Sequence, residues 1–208
     1  MAEPHLRAEN LHVWRGDRHV LRGVGFDLEA GQVLQITGPN GAGKTSLLRT
    51  LCGLVHPEEG SVLWNGRDAR ADPAGFHASF AYVGHDVPLK AELTVMENLA
   101  YWVGVRRADA RADIARALET TVTHSLRDRM VRTLSAGQKR RVALAGVLAL
   151  AVPLWLLDEP TTNLDADGQS LVARLIGDHT AHGGLVVAAV HHALGVGPAR
   201  LQPLTLAV

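Results

Sequence analysis

Gly38-Pro39-Asn40-Gly41-Ala42-Gly43-Lys44-Thr45-Ser46 decides how this chain folds. A glycine, four residues, then Gly-Lys-Thr is the spacing of a phosphate-binding P-loop. Backbone N–H groups can wrap a polyphosphate only where no side chain obstructs them, which is the use of Gly38, Gly41 and Gly43. Val33-Leu34-Gln35-Ile36 reads as the strand that feeds the loop. Lys44 and Thr45 open a helix whose unpaired N–H groups and positive dipole end face the phosphates. In that arrangement Lys44 reaches the β- and γ-phosphates of a nucleoside triphosphate, and the Thr45 hydroxyl binds Mg²⁺. The chain contains three lysines (Lys44, Lys90, Lys139) against eighteen arginines, so a lysine at this one place is not a product of composition.

Upstream of the loop, Leu6 to Trp14 and Val20 to Leu28 read as strands joined by a Gly16-Asp17 turn, with Ala30-Gly31 turning into the P-loop strand. They are expected to form an antiparallel flank. Downstream, the P-loop helix should end near Gly53 and be followed by a turn at Pro57 to Gly60. A short strand from Ser61 to Trp64 and a hairpin-like turn at Asn65-Gly66 come next. Arg67 to Gly75 is polar and reads as loop; Phe80 to Val83 reads as a strand running into Gly84-His85-Asp86. From Pro88 to Arg132 helical segments dominate, at Val95–Val105 and Ala108–Leu118, with Thr94 as N-cap and Glu97 completing a capping box. Arg106 to Arg116 alternates in charge sign and reads as a solvated helix face. The expected fold is therefore one α/β domain: a nucleotide-binding core over 1–87 and 133–208, with an antiparallel β flank and a helical lobe inserted over 88–132.

Length and charge bound the function. At 208 residues the chain can bury one large core, and a net charge of zero with a pI near 7.2 supplies no basic field for nucleic acid. The lone Cys52 falls among Leu48, Leu51 and Leu54 and reads as a core thiol, unable to form an internal disulfide. Met1 to Arg7 carries no basic patch before an apolar run, the mark of an export leader. The longest apolar run, Val142 to Leu157, is broken by Pro153 and closed by Asp158-Glu159, short of the about 20 residues of a membrane span. It reads as a buried helix, a turn and a buried strand.

That strand carries the second half of the site. Leu154 to Leu157 ends in Asp158-Glu159, so a carboxylate arrives beside the Mg²⁺ position; Asp158 is assigned to the metal and Glu159 to the attacking water. Leu134-Ser135-Ala136-Gly137-Gln138 precedes a helix expected from Lys139 to Leu150. The histidines His179, His182, His191 and His192 lack cysteines or carboxylates at ligand spacing, which argues against a metal or haem site.

The P-loop, the Leu-Ser-Ala-Gly-Gln segment, the Leu-Leu-Asp-Glu-Pro strand end, Thr162-Asn163-Leu164-Asp165 and a strand ending in His191 follow one another in the order of ABC-type ATPase domains, which the chain resembles along nearly its whole length. The resemblance implies ATP and Mg²⁺ as ligands and a head-to-tail homodimer. In that dimer Ser135, Ala136, Gly137 and Gln138 of one copy contact the nucleotide held by Lys44 of the other. It further implies Glu159 as general base, His191 as a γ-phosphate contact that orients water, and Asp165 as a link between the two sites.

Three positions depart from the family pattern. His85 stands where a glutamine usually contacts Mg²⁺ and couples to the membrane subunit. Ala136 replaces a glycine. The aromatic that stacks on adenine is replaced by Arg15, with Trp14 one residue earlier; either could stack on the base. Within the family, Tyr82-Val83-Gly84-His85-Asp86 and Leu93 to Leu99 resemble the ATP-binding subunits of bacterial cytochrome c maturation. Those subunits lie on the cytoplasmic face of the inner membrane beside an integral membrane ABC subunit and haem-handling membrane proteins. The helical lobe would offer Leu93, Val95, Leu99 and Trp102 to such a partner. Other ABC ATPases serve small-molecule or lipid exporters, and some are soluble machines.

Overall fold

The computed structural model describes residues 3–107, 110–197 and 200–207. The chain opens with an antiparallel hairpin, β1 (His5–Arg15) and β2 (Arg18–Glu29), then crosses to β3 (Val33–Thr37), whose end feeds the glycine loop and helix α1 (Lys44–Leu51). β4 (Glu59–Trp64) returns to pair antiparallel with β1, and Asn65 and Gly66, at φ 52° and 76°, turn it into the short β5 (Arg67–Asp68). Two positive angles in succession are those of a type I′ turn. The resulting sheet, in the order β2-β1-β4-β5, is the antiparallel flank the sequence called for.

The stretch expected as loop, 67–75, instead holds β5 and the start of α2 (Pro73–Ala78). Asp72 caps this helix by accepting the Gly75 N–H at 3.0 Å, and Pro73 occupies a first-turn position where its missing N–H costs nothing. The Asp-Pro pair was the available signal.

The second sheet joins β6 (Phe80–Val83), β7 (Leu154–Asp158), β8 (Leu185–Ala189), β3 and β9 (Leu201–Thr205), in the order β6-β7-β8-β3-β9 and wholly parallel. Val83 lies opposite Leu157, Asp158 opposite Ala189, and Ala189 opposite Ile36. Four strands therefore end at one edge, and the segments leaving it are Gly84-His85, Glu159, Val190-His191 and the P-loop. Such an edge is where open parallel sheets bind ligands.

Alternation along the strands divides the core in two. Leu34, Ile36, Leu154, Leu156 and Val187 pack with α1 and the antiparallel sheet. Val33, Trp155, Leu157, Val186 and Ala188 pack with the helices of the other face: α3 (Val95–Gly104), α4 (Arg111–Thr120), α5 (Ala136–Leu150) and α6 (Ala166–Ala181). Cys52 is buried, and burial pushes its thiol up to about 11.

In α3 the Thr94 hydroxyl accepts the Glu97 N–H while Glu97 accepts the Thr94 N–H, the expected capping box. α4 ends two residues beyond the expected Leu118; Ala108 and Asp109, where its start was placed, lie outside the described residues. Val95 and Leu99, expected at a docking surface, are 0% exposed core residues, and Trp102 packs so closely over Gly146 that a Cβ there would collide with its ring. The exposed large hydrophobics of this helix and its end are Tyr101 and Val105.

Nor is Arg106–Arg116 simply a solvated face. Arg106 donates to the carbonyls of Phe80 and His77, and Arg107 to Ala149 O and Asp113, tying this segment to β6, the end of α2 and the end of α5. Among the described residues no helix is long and apolar enough to cross a membrane.

Candidate functional site

The glycine loop has a backbone only glycine accommodates. Gly38, Gly41 and Gly43 stand at φ 144°, 80° and 103°. A Cβ on Gly38 would run into the carbonyl of Leu206, and one on Gly43 would lie 2.8 Å from Val20 Cγ1. The Ala42 N–H donates to Pro39 O, closing the turn, and α1 starts at Lys44 behind a glycine that offers its first-turn N–H groups no side-chain cap. Lys44 is buried and donates from Nζ to Gly38 O at 2.7 Å and Pro39 O at 3.2 Å, so the ammonium is held over the loop itself.

A cavity of about 420 Å³ opens here, lined by Arg15, Arg18, Asn40, Gly41, Gly43, Lys44, Thr45, Ser46 and Glu159. Its size suits a nucleotide-sized ligand. Arg15 lines it, whereas Trp14, the other candidate for the base, does not: its indole stacks on His19 with centroids 3.7 Å apart and planes 7° apart. Successive strand residues face opposite sides, and the flank takes Trp14 away from the loop. Arg18 donates to Gly41 O at 2.9 Å, a brace for the loop that no sequence motif signals.

Asp158 ends β7 at 2% exposure. Burial raises its carboxyl above the usual carboxylate range, against a lowering hydrogen bond from Thr45, and its Oδ2 has no partner among the described residues. A buried, unpaired carboxylate oxygen next to a hydroxyl is the hard-oxygen donor set that suits Mg²⁺. His85, also expected toward the metal, stands beside both acids: its Nδ1 is 3.7 Å from Glu159 Oε2 and its field acts to lower Asp158.

Glu159 adopts φ 51°, a strained angle for a residue with a Cβ, and its N–H donates to Ala189 O, which binds the turn to the neighbouring strand. Thr162 donates to its Oε2 at 3.0 Å, and His191 Nε2 meets its Oε1 at 2.8 Å. Burial pushes this carboxyl up, but the bonds from Thr162 and His191 outweigh it and the net direction is down. Glu159 is thus ionised at neutral pH, as a proton acceptor must be.

The Ser-Ala-Gly-Gln segment lies elsewhere. α5 begins at Ala136, three residues before the expected Lys139, because Ser135 is its N-cap: the hydroxyl accepts the Gln138 N–H at 3.2 Å and Gln138 Oε1 accepts the Ser135 N–H at 3.0 Å. A Cβ on Gly137 would lie 2.7 Å from Asn163 O, so this glycine lets the start of α5 pack on the turn before α6. Asp165 caps α6 through Gly168 N and receives Arg141 Nη2 at 2.9 Å. Ser135 to Gln138 and Asp165 line a second cavity of about 600 Å³ that shares no residue with the Lys44 cavity. Within one chain the fold unites Lys44, Thr45, Asp158, Glu159, His85 and His191, and it leaves Ser135, Ala136, Gly137 and Gln138 apart from them.

Residues 21–162 match the family described as ABC transporter. The chain belongs to the ABC transporter ATPase family. Its relatives include the cytochrome c biogenesis ATP-binding export protein CcmA of Methylococcus capsulatus, 46% identical over 94% of this chain and 95% of that one. The protein of the same name from Nitrosococcus oceani is 41% identical over 96% and 91%. Among solved structures, the ATP-binding subunit of an ABC transporter superposes with a TM-score of 0.81 at 25% identity, covering 89% of this chain and 79% of that one. As an ABC ATPase the chain binds and hydrolyses ATP, and it is the ATP-binding subunit of a transporter. The buried arginine Arg140, whose guanidinium reaches the carbonyls of Gly84 and His85, escaped sequence reasoning because nothing local distinguishes it from Lys139 and Arg141 beside it.

Proposed function

We propose that the chain is the ATPase subunit of a cytochrome c maturation transporter on the cytoplasmic face of the inner membrane. There, ATP hydrolysis would drive release of a haem-loaded chaperone. The observation that carries this is 41–46% identity, over nearly the whole length of both partners, to proteins named for that process. A CcmB-like integral membrane subunit would be its immediate partner, docking on a helical lobe over 88–132, with haem-handling proteins beyond it.

In this reading the glycine loop and Lys44 hold the triphosphate, with Ser46 at the loop's end, and Arg15 stacks its guanidinium on the adenine. Thr45 and Asp158 would hold Mg²⁺, which when bound neutralises charge on the β- and γ-phosphates. Glu159 takes the proton of a water as its oxygen attacks the γ-phosphorus and the bond to the β-phosphate oxygen breaks, giving ADP and phosphate. His191 and His85 flank that carboxylate and keep it aimed. Two chains meet head to tail, so the separate Ser135–Gln138 surface of one completes the Lys44 cavity of the other and the α5 N-terminus faces the γ-phosphate. Chemistry then requires closure, and hydrolysis reopens the pair.

The test is haem staining of c-type cytochromes in cells whose only copy carries Glu159→Gln or Lys44→Ala, with protein levels checked by blot. Loss of mature cytochromes with protein retained is expected. If cytochromes mature normally in both strains, the transporter assignment fails. Glu159→Gln should also trap an ATP-bound dimer on size exclusion, and hydrolysis by it at the wild-type rate would remove Glu159 as the base.

A further inference from the structure

Arg140 is 3% exposed, and among the described residues no carboxylate pairs with it. Its two guanidinium nitrogens donate instead to consecutive main-chain carbonyls, Nη1 to Gly84 O at 2.9 Å and Nη2 to His85 O at 2.8 Å. Burial lowers its pKa, and the fields of Asp158, Glu159 and Asp86 act the other way. An apolar side chain of similar volume would avoid that desolvation. What it would not supply is a planar fork that fixes the orientation of a peptide unit.

The ends of this link are informative. Arg140 lies in the second turn of α5, rigidly behind the Ser135 cap and Gly137. The peptide it grips carries His85, whose ring stands 3.7 Å from Glu159 Oε2. The Lys44 ammonium takes its own bonds, to Gly38 and Pro39 within the glycine loop, and none to the Gly84–His85 segment.

We propose that Arg140 is a positioning residue that joins the two half-sites of each chain: through the Gly84–His85 main chain it makes the placement of His85 against Glu159 depend on where the α5 N-terminus lies. The inference rests on the reading in which Glu159 is the base and Ser135 and Gly137 meet the nucleotide of a second copy. When they do, α5 moves as a rod and the guanidinium carries the His85 peptide with it. Nucleotide capture by the glycine loop lies outside this linkage, so binding and turnover separate.

The experiment uses the full chain copurified with its membrane partner and compares wild type, Arg140→Met, Arg140→Lys and Glu159→Gln. ATP hydrolysis is measured against ATP concentration, and binding is measured with a fluorescent ATP analogue. Arg140→Met should lower kcat at least tenfold while KM and the analogue Kd stay within twofold. Arg140→Lys, which keeps the charge and one donor without the fork, should recover part of the loss. Wild-type kcat in Arg140→Met overturns the linkage, as does a rise in KM with kcat unchanged. So does an equal loss in the Met and Lys variants accompanied by a fall in melting temperature, which would assign Arg140 to fold stability. An inactive Glu159→Gln beside an active Arg140→Met refutes only the linkage; an active Glu159→Gln refutes the site reading itself.

Discussion

Asp158→Asn separates what the folded chain loses by burying a carboxylate from what the site gains with a metal. Asp158 is 2% exposed with Oδ2 unpartnered, and burial is the largest influence on its raised pKa. A buried polar group left unpaired costs about 1–3 kcal/mol, and more if charged. The amide keeps the acceptor that Thr45 uses and removes the charge, so Asp158→Asn should be more stable than wild type by about 1–2 kcal/mol at pH 7. For a domain of this size that is about 2–8 °C in Tm.

The pH dependence has a definite sign. With the folded pKa raised, the native carboxyl holds its proton more tightly than the unfolded one, so wild-type stability falls as pH rises through the folded value. The advantage of the variant should vanish below about pH 3.9, the ordinary aspartate value. Nucleotide reverses the order: ATP and Mg²⁺ at about 100 times Kd add about 2.7 kcal/mol to wild type. The variant should gain only what ATP adds in the presence of EDTA. Thermal melts between pH 4 and 8, with no ligand, with ATP and EDTA, and with ATP and Mg²⁺, give all three comparisons. A variant less stable than wild type at pH 7 without ligand refutes the desolvation argument, and an equal Mg²⁺ increment in both proteins refutes the assignment of Asp158 to the metal.

Three further outcomes follow from local geometry. Gly137→Ala pushes a methyl to 2.7 Å from Asn163 O and should cost about 1–3 kcal/mol in urea unfolding, with ATPase activity down at least tenfold and nucleotide binding unchanged. Val122 is a β-branched residue at φ 57° with 69% of its surface exposed, so Val122→Gly should raise stability by about 1 kcal/mol; a loss would show that its side chain packs on something. His179 stacks on Trp155 at 3.9 Å, and burial depresses its pKa from 6.5 to about 4. Folded His179 stays neutral while the unfolded residue takes a proton, so stability is lost as pH falls from 6.5 toward 4, on the order of 2–3 kcal/mol. His179→Phe should flatten that limb of the stability–pH curve, and an unchanged limb would place the acid sensitivity elsewhere.

The sequence carried the P-loop, the acid pair after an apolar strand and the Thr94 capping box because each is a local constraint: glycine angles, a strand end, a helix start within four residues. Ser135 reads as a phosphate contact at the start of a helix from Lys139, but Ser-x-x-Gln is also a cap and starts α5 three residues earlier. Asp72-Pro73 marked a helix inside a stretch read as loop. Arg106, Arg107 and Arg140 read like their charged neighbours because a guanidinium that donates to main-chain carbonyls leaves no mark in the sequence, and Asp113, which Arg107 also reaches, sits in the alternating run that reads as solvated. Val95 and Leu99 read as a docking face because apolar periodicity identifies a buried face without saying what buries it.

The sequence by itself determined which chemistry is available: a loop whose glycines free backbone N–H groups, a lysine, a hydroxyl and two adjacent acids, each specified within a few residues. Tertiary structure decided which of these groups meet. Parallel pairing of β6, β7, β8 and β3 brings segments from residues 36 to 191 to a single edge, where Glu159 can touch both His85 and His191. The flank chose Arg15 over Trp14 for the loop cavity, and α5 left the Ser135–Gln138 surface on a different cavity from Lys44. These are long-range outcomes, because strand register and helix placement depend on burying both faces of a sheet at once, and no short window of residues contains that balance.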